Sequence, residues 1–125
     1  MVCLDTNFII DLIRRDPQTY SKLRKLGGTL CTTTISLAEL YKGAYLTNNV
    51  NKEIRKIESI IQYIRIITLD QKSSKLYGQL YEQLKSNRLK EADLLIASIA
   101  ISNNETLLTR DQHFQRISTL RTDTW

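Results

Sequence analysis

Apolar positions along this chain switch repeatedly between a continuous and a helical spacing. "VCL" at 2–4 is the short apolar run of a buried strand, after which Phe8, Ile9, Leu12 and Ile13 within residues 7–14 recur at helical intervals. Pro17 opens a second short helix, and "GGT" at 27–29 breaks the pattern. The β-branched "LCTTTI" at 30–35 predicts a second strand, followed from Ser36 by a helix over "SLAELYKGAYL". The polar "TNNVN" at 47–51 is a turn. Ile54, Ile57, Ile61 and Ile64 then predict an amphipathic helix over 52–64, and "IRIITL" at 64–69 a third strand. Leu76, Leu80 and Leu84 mark a long helix from Asp70 to Asn87. Beyond the polar "SNRLKEAD", residues 93–102 are apolar nearly all round, which predicts a helix packed on most of its faces. "ETLLT" at 105–109 is a fourth strand and "DQHFQRI" a short final helix.

Strands alternating with helices predict an α/β architecture, a parallel sheet covered by helices on both faces. The chain shows no repeat, low-complexity tract or linker, and its 125 residues, 42% of them hydrophobic, suit one domain over 1–125. No apolar stretch reaches the ~20 residues of a membrane span, and no basic-then-apolar leader precedes the first strand, so a cytoplasmic protein is expected. Cys3 and Cys31 lie in strand-like runs and read as small buried thiols. A disulfide between them becomes conceivable only if their strands are neighbours, and no metal-binding or C-x-x-C spacing is present.

Four carboxylates stand at the junctions of these elements, each with a structural explanation. Asp5 and Asp111 follow strands and precede helices, as N-caps do. Ser36-Leu37-Ala38-Glu39 fits a capping box, and Asp93 lies in a first helical turn, where the helix dipole favours negative charge. Their conjunction is harder to explain structurally. In a parallel sheet the segments after strands one, two and four emerge along one edge, where ligands of open α/β folds bind. Asp5, Glu39 and Asp111 converge there, and Asp93 joins them if its helix starts at the same edge. Four crowded carboxylates raise one another's pKa unless a cation neutralises them. An all-oxygen set without His or Cys suits Mg²⁺ or Mn²⁺ rather than zinc, and such ions serve phosphate chemistry. The lone His113 reads as a surface or edge residue. Charge changes the picture further: net charge is +5, and with the four carboxylates set aside 18 basic residues face nine acidic ones. A basic exterior around an acidic focus fits a nuclease.

"LDTN", "ISLAELYKG", "ADLLIASIAI" and "LLTRDQHF" resemble, in order and spacing, the motifs of the PIN-domain ribonucleases, most closely the VapC-type toxins of toxin–antitoxin pairs. The resemblance spans almost the whole chain. It implies a three-layer α/β/α fold with a mostly parallel central sheet of four to five strands. It also implies Mg²⁺- or Mn²⁺-dependent endoribonuclease activity, a homodimer, and inhibition by a cognate VapB-type antitoxin. Carried over position by position, the catalytic and metal-binding quartet is Asp5, Glu39, Asp93 and Asp111, with Asn7 and Thr109 as accessory polar positions. Lys42, Lys90 and Arg110 lie close in sequence to these and are candidate RNA contacts, against the alternative of solvated charge. Tyr41, Tyr45, Tyr77 and Tyr81 can stack on unpaired bases or simply pack at helical spacing. The one departure is "SNNETLLT", with Asn-Asn-Glu where the family often has glycine. A binding module without turnover is the rival function, disfavoured because a pure RNA binder has no need of clustered negative charge. A phosphatase using Asp5 as nucleophile would have a second aspartate two residues on, where Asn7 stands.

Overall fold

The computed structural model describes residues 2–125. The chain runs β1 (Val2–Leu4), α1 (Thr6–Ile13), α2 (Pro17–Lys25), β2 (Leu30–Thr33), α3 (Thr34–Tyr45) and α4 (Val50–Ile61). It continues through β3 (Arg65–Ile67), α5 (Gln71–Gln83), α6 (Glu91–Ser102), β4 (Thr106–Leu108), a short 3₁₀ helix (Gln112–Arg116) and β5 (Thr122–Asp123). The five strands form one sheet in the order β3-β2-β1-β4-β5, and every neighbouring pair is parallel.

Alternation along the strands divides the apolar residues between two cores. Cys3, Cys31, Ile67 and Leu107 face one side, where α6 contributes Leu94, Ile96, Ala97, Ile99 and Ala100, α5 contributes Leu80, and Phe114 closes the end. Leu4 and Leu108 face the other side, against Phe8, Ile9 and Leu12 of α1, Leu40 and Ala44 of α3, and Ile57 of α4. Helices therefore cover both faces, the three-layer α/β/α arrangement. Cys3 and Cys31 pair directly in register across β1 and β2, and both are free buried thiols. The hydrogen bond with the neighbouring Cys31 thiol, and then burial, hold the Cys3 pKa far above the ordinary thiol range.

Several boundaries differ from the sequence expectation, each for a local reason. β2 stops at Thr33 because Thr33 caps α3: its Oγ1 accepts the Ser36 N–H at 3.0 Å. Ser36 is thus the third helical residue and no cap, which removes the capping-box role from Glu39. Ile64 lies beyond the end of α4, buried on the approach to β3, and α5 ends before Leu84 rather than at Asn87. α6 begins two residues earlier than expected, so Asp93 remains in its first turn. β5 is too short for a periodicity to reveal, with two residues paired to Leu107 and Leu108. Where the family often has glycine, Asn104 adopts a left-handed φ of 56°, a conformation asparagine tolerates better than most residues. Arg121 holds it there by donating to its backbone and side-chain oxygens at 2.9 and 3.0 Å.

Candidate active site

Because all strands run the same way, the segments following β1, β2 and β4 leave the sheet at one edge. α6 runs back toward β4, so its N-terminus lies there too. Asp5, Glu39, Asp93 and Asp111 line a single cleft of about 370 Å³ at that edge, together with Thr6, Asn7, Lys42, Leu46 and Lys90.

Asp5 is only 5% exposed, and its position is held from both sides. Its backbone N–H donates to the Leu108 carbonyl at 3.1 Å, tying it to the end of β4. Oδ1 accepts the Thr6 N–H at 2.8 Å, and Oδ2 accepts the Thr109 hydroxyl at 2.7 Å. Thr109 is a bridge, since its Oγ1 also accepts the Asp111 N–H at 3.0 Å. Burial raises the Asp5 pKa; the bonds from Thr109 and Thr6 oppose it, while Glu39 and Asp111 push it further up.

Glu39 lies one and a half turns into α3, and the backward tilt of helical side chains aims it at the edge. The Thr6 hydroxyl donates to its Oε1 at 2.7 Å. Thr6 therefore serves two carboxylates, Asp5 through its backbone and Glu39 through its side chain. Sequence reasoning passed over it: its place inside "LDTN" was the available signal, but no spacing shows that it faces a residue 33 positions on.

Asp93 carries the clearest electrostatic mark of the cluster. Its pKa is pushed up to about 6, first by burial and then by Asp111, Asp5 and Glu39, with Lys90 opposing. Asp111 caps the 3₁₀ helix, its Oδ1 accepting the His113 N–H at 2.9 Å. His113 is exposed, as expected of an edge residue, with Nδ1 3.1 Å from the same oxygen. Capping and membership of the cluster thus coexist at Asp5 and Asp111.

Lys42 and Lys90 reach the cleft and Asn7 lines it, exposed. Arg110 is not brought there. Its guanidinium lies 4.4 Å from the Trp125 ring centre, donates to the Trp125 carbonyl at 2.8 Å and approaches Asp11 at 3.7 Å. Its side chain is occupied in anchoring the last residue, so proximity in sequence to Asp111 misplaced it. Of the four tyrosines, Tyr41 packs against the core of one face and Tyr77 and Tyr81 against the other; Tyr45 is 66% exposed.

Among the described residues, no three His, Cys, Asp or Glu side chains are grouped closely enough to hold a metal ion between them. The four carboxylates line one cleft, and after burial it is Asp111, Asp5 and Glu39 that push the Asp93 pKa up. Their oxygen-only chemistry fits a hard divalent cation.

The PIN domain family profile matches residues 2–120. The chain belongs to the PIN-domain family. Ribonuclease VapC2 of Haemophilus influenzae is 30% identical to it over 126 residues, covering 98% of this chain and 96% of the relative. The structure of VapBC2 from Rickettsia felis bound to a promoter DNA fragment matches with a TM-score of 0.93 at 30% identity, over 100% of this chain and 99% of that one. VapBC-1 from nontypeable Haemophilus influenzae matches at 0.90 and 32% identity, over 100% and 98%. Among PIN-domain proteins, this chain is of the VapC type. PIN-domain ribonucleases use divalent metal ions, in keeping with the oxygen donors of the cleft.

Proposed function

We propose that the acidic cleft is where this VapC-type ribonuclease hydrolyses RNA, with Asp5, Glu39, Asp93 and Asp111 as the residues that hold Mg²⁺ or Mn²⁺. The observation that carries this is the convergence of four carboxylates, from the ends of β1 and β4, the body of α3 and the start of α6, on one cleft. A protein gains no stability from that crowding, and burial together with the neighbouring carboxylates pushes the Asp93 pKa up to about 6. A bound divalent ion supplies an activated water and neutralises charge at the phosphate.

The chain's own residues do the positioning. Thr6 and Thr109 fix the orientation of Asp5, and Thr6 that of Glu39, so the acceptor oxygens are set before any ligand arrives. Lys42 and Lys90 flank the cleft and contact phosphates on either side of the scissile bond. Hydrolysis leaves a 5′-phosphate and a 3′-hydroxyl. A VapB-type antitoxin is the cognate partner, as in the VapBC complexes that resemble this chain. A second groove of about 440 Å³, sharing Ile10, Glu39 and Gly43 with the cleft and floored by Leu40, Ala44 and Ile57, gives an antitoxin segment an apolar seat beside the carboxylates. The toxin works as a homodimer in the cytoplasm; no helix among the described residues is long and apolar enough to cross a membrane.

The test is cleavage of labelled RNA. Chelation abolishes cutting and Mn²⁺ restores it. Asp93→Asn folds, binds RNA and fails to cut, with a loss of at least a hundredfold. Cutting at near-parental rates by this variant would reduce the quartet to helix caps and dipole partners.

A further inference from the structure

On the far side of Asp111 from the acidic cleft lies a separate cavity of about 340 Å³, between the 3₁₀ helix and β5. Its lining differs in chemistry from the cleft. Gln112 and Gln115 supply amides, Thr122 and Thr124 hydroxyls, and Asp123 a carboxylate. The cation on its rim, Arg110, is engaged with Trp125 and Gln18, and Lys22 is paired with Asp123 at 2.9 Å. Among the described residues no uncommitted cation lines this cavity, so it is poorly suited to a phosphate.

Amide and hydroxyl groups that donate and accept, beside carboxylates that disfavour a phosphate, suit the edge of a nucleobase. The backbone beneath these groups is held: the Thr109 N–H donates to the Asp123 carbonyl at 2.9 Å and pins β5, and at the surface Gln115 Nε2 donates to Thr122 Oγ1 at 3.1 Å. Asp111 and Thr109 connect the cavity to the cleft, since Asp111 lines both and Thr109 bridges Asp5 to the Asp111 backbone. Asp111 is thus the wall between the two, and the cavity adjoins the place where a nucleotide next to a phosphate at the carboxylates would lie.

Resting on the ribonuclease function above, we infer that the cavity between Gln112, Gln115 and Thr122 is a base-reading subsite, which sets sequence preference at one nucleotide flanking the cleaved phosphate. Amide side chains read base edges by paired hydrogen bonds, and each such contact is worth about 1–3 kcal/mol of discrimination in nucleic-acid recognition. Base contacts, unlike phosphate contacts, leave the salt dependence of binding unchanged.

The experiment uses RNA randomised over a central window, cut by the parent, Gln115→Glu, Gln112→Ala and Thr122→Val, with the cut ends sequenced. Gln115→Glu exchanges amide donors for acceptors at constant shape. The parent shows a base preference at one flanking position, and Gln115→Glu changes which base is preferred there by tenfold or more. Thr122→Val weakens the same preference and Thr122→Ser restores it, with thermal melts and salt slopes at parental values. For a variant too slow to sequence, discrimination is read from binding of oligonucleotides that differ at that position, in chelator. A parent that cuts without flanking preference, or variants that keep the parental one, overturns the inference while leaving the ribonuclease assignment standing. A parent that cuts no RNA in Mn²⁺ overturns the function on which it rests.

Discussion

Thr109 shows how much one hydroxyl can carry. It is 5% exposed, donates to the buried Asp5 carboxylate and accepts the Asp111 N–H, so it ties two members of the quartet to each other. Thr109→Val keeps the shape and β-branching while leaving a charged acceptor and a backbone donor unmet. The expected cost is about 1–3 kcal/mol, the range for a buried polar group stripped of its partner. Asp5 also loses the larger of the two bonds that lower its pKa, so its ionisation moves up. Chemical denaturation at neutral pH measures the first effect, and a variant as stable as the parent would mean that water replaces the bridge. From sequence, Thr109 and Asn7 were indistinguishable accessories. Burial separates them, since Asn7 is exposed at the cleft while Thr109 lies beneath it.

At the scale of the element, the start of α3 decides where Glu39 points. "TTTIS" contains four hydroxyl residues, any of which is a competent cap, and propensity cannot choose among them. The structure selects Thr33, whose Oγ1 accepts from Ser36 N–H and donates to Ser36 Oγ at 3.2 Å. Thr33→Ala is therefore expected to cost about 1 kcal/mol and Ser36→Ala distinctly less, read as shifts in the unfolding midpoint. The capping-box alternative requires the reverse order. This choice matters beyond stability, because a helix starting at Thr34 makes Glu39 free of any capping duty and available to Thr6. The amphipathic helices illustrate a related limit: the apolar faces of α4 and α5 suggest surface to spare for a dimer, yet Ile57 and Leu80 are buried in the two cores of this chain. Among the described residues the large apolar side chains left exposed are Tyr45, Leu46, Tyr63 and Leu69, outside those faces or at their ends.

For the whole molecule, the acidic edge couples stability to pH. Asp93 has a folded-state pKa of about 6 against an ordinary value of 3.8. The folded state therefore binds the proton more tightly than the unfolded chain, so ionisation opposes folding. Below pH 3.8 both states hold the proton and there is no penalty; as pH rises to about 6 the penalty grows, and above that it is complete. Because Asp93 is partly open to solvent, the effect is discounted to about 1–2 kcal/mol. In chelator, the Asp93→Asn variant should match the parent near pH 4 and exceed its stability at pH 7, with the gap opening between. Melting curves across that range check this, and a gap that stays constant with pH would remove the like-charge account of the cleft. Mn²⁺ at pH 7 should raise the parent's melting temperature and narrow the gap.

Much of this protein was legible in its sequence because periodicity and short motifs are local. Switching between a continuous apolar run and helical spacing gave away α/β alternation, and the carboxylates at strand ends then had one edge on which to meet. Their motif order supplied the family. What the chain alone left open depended on contacts between distant residues. The 33-residue link from Thr6 to Glu39, the departure of Arg110 to Trp125, and the addition of the two-residue β5 to the sheet are all of this kind. Local propensity is degenerate where several hydroxyls can cap or several cations stand near an acid. Only the packing of two cores against one sheet decides which of them is turned toward the cleft.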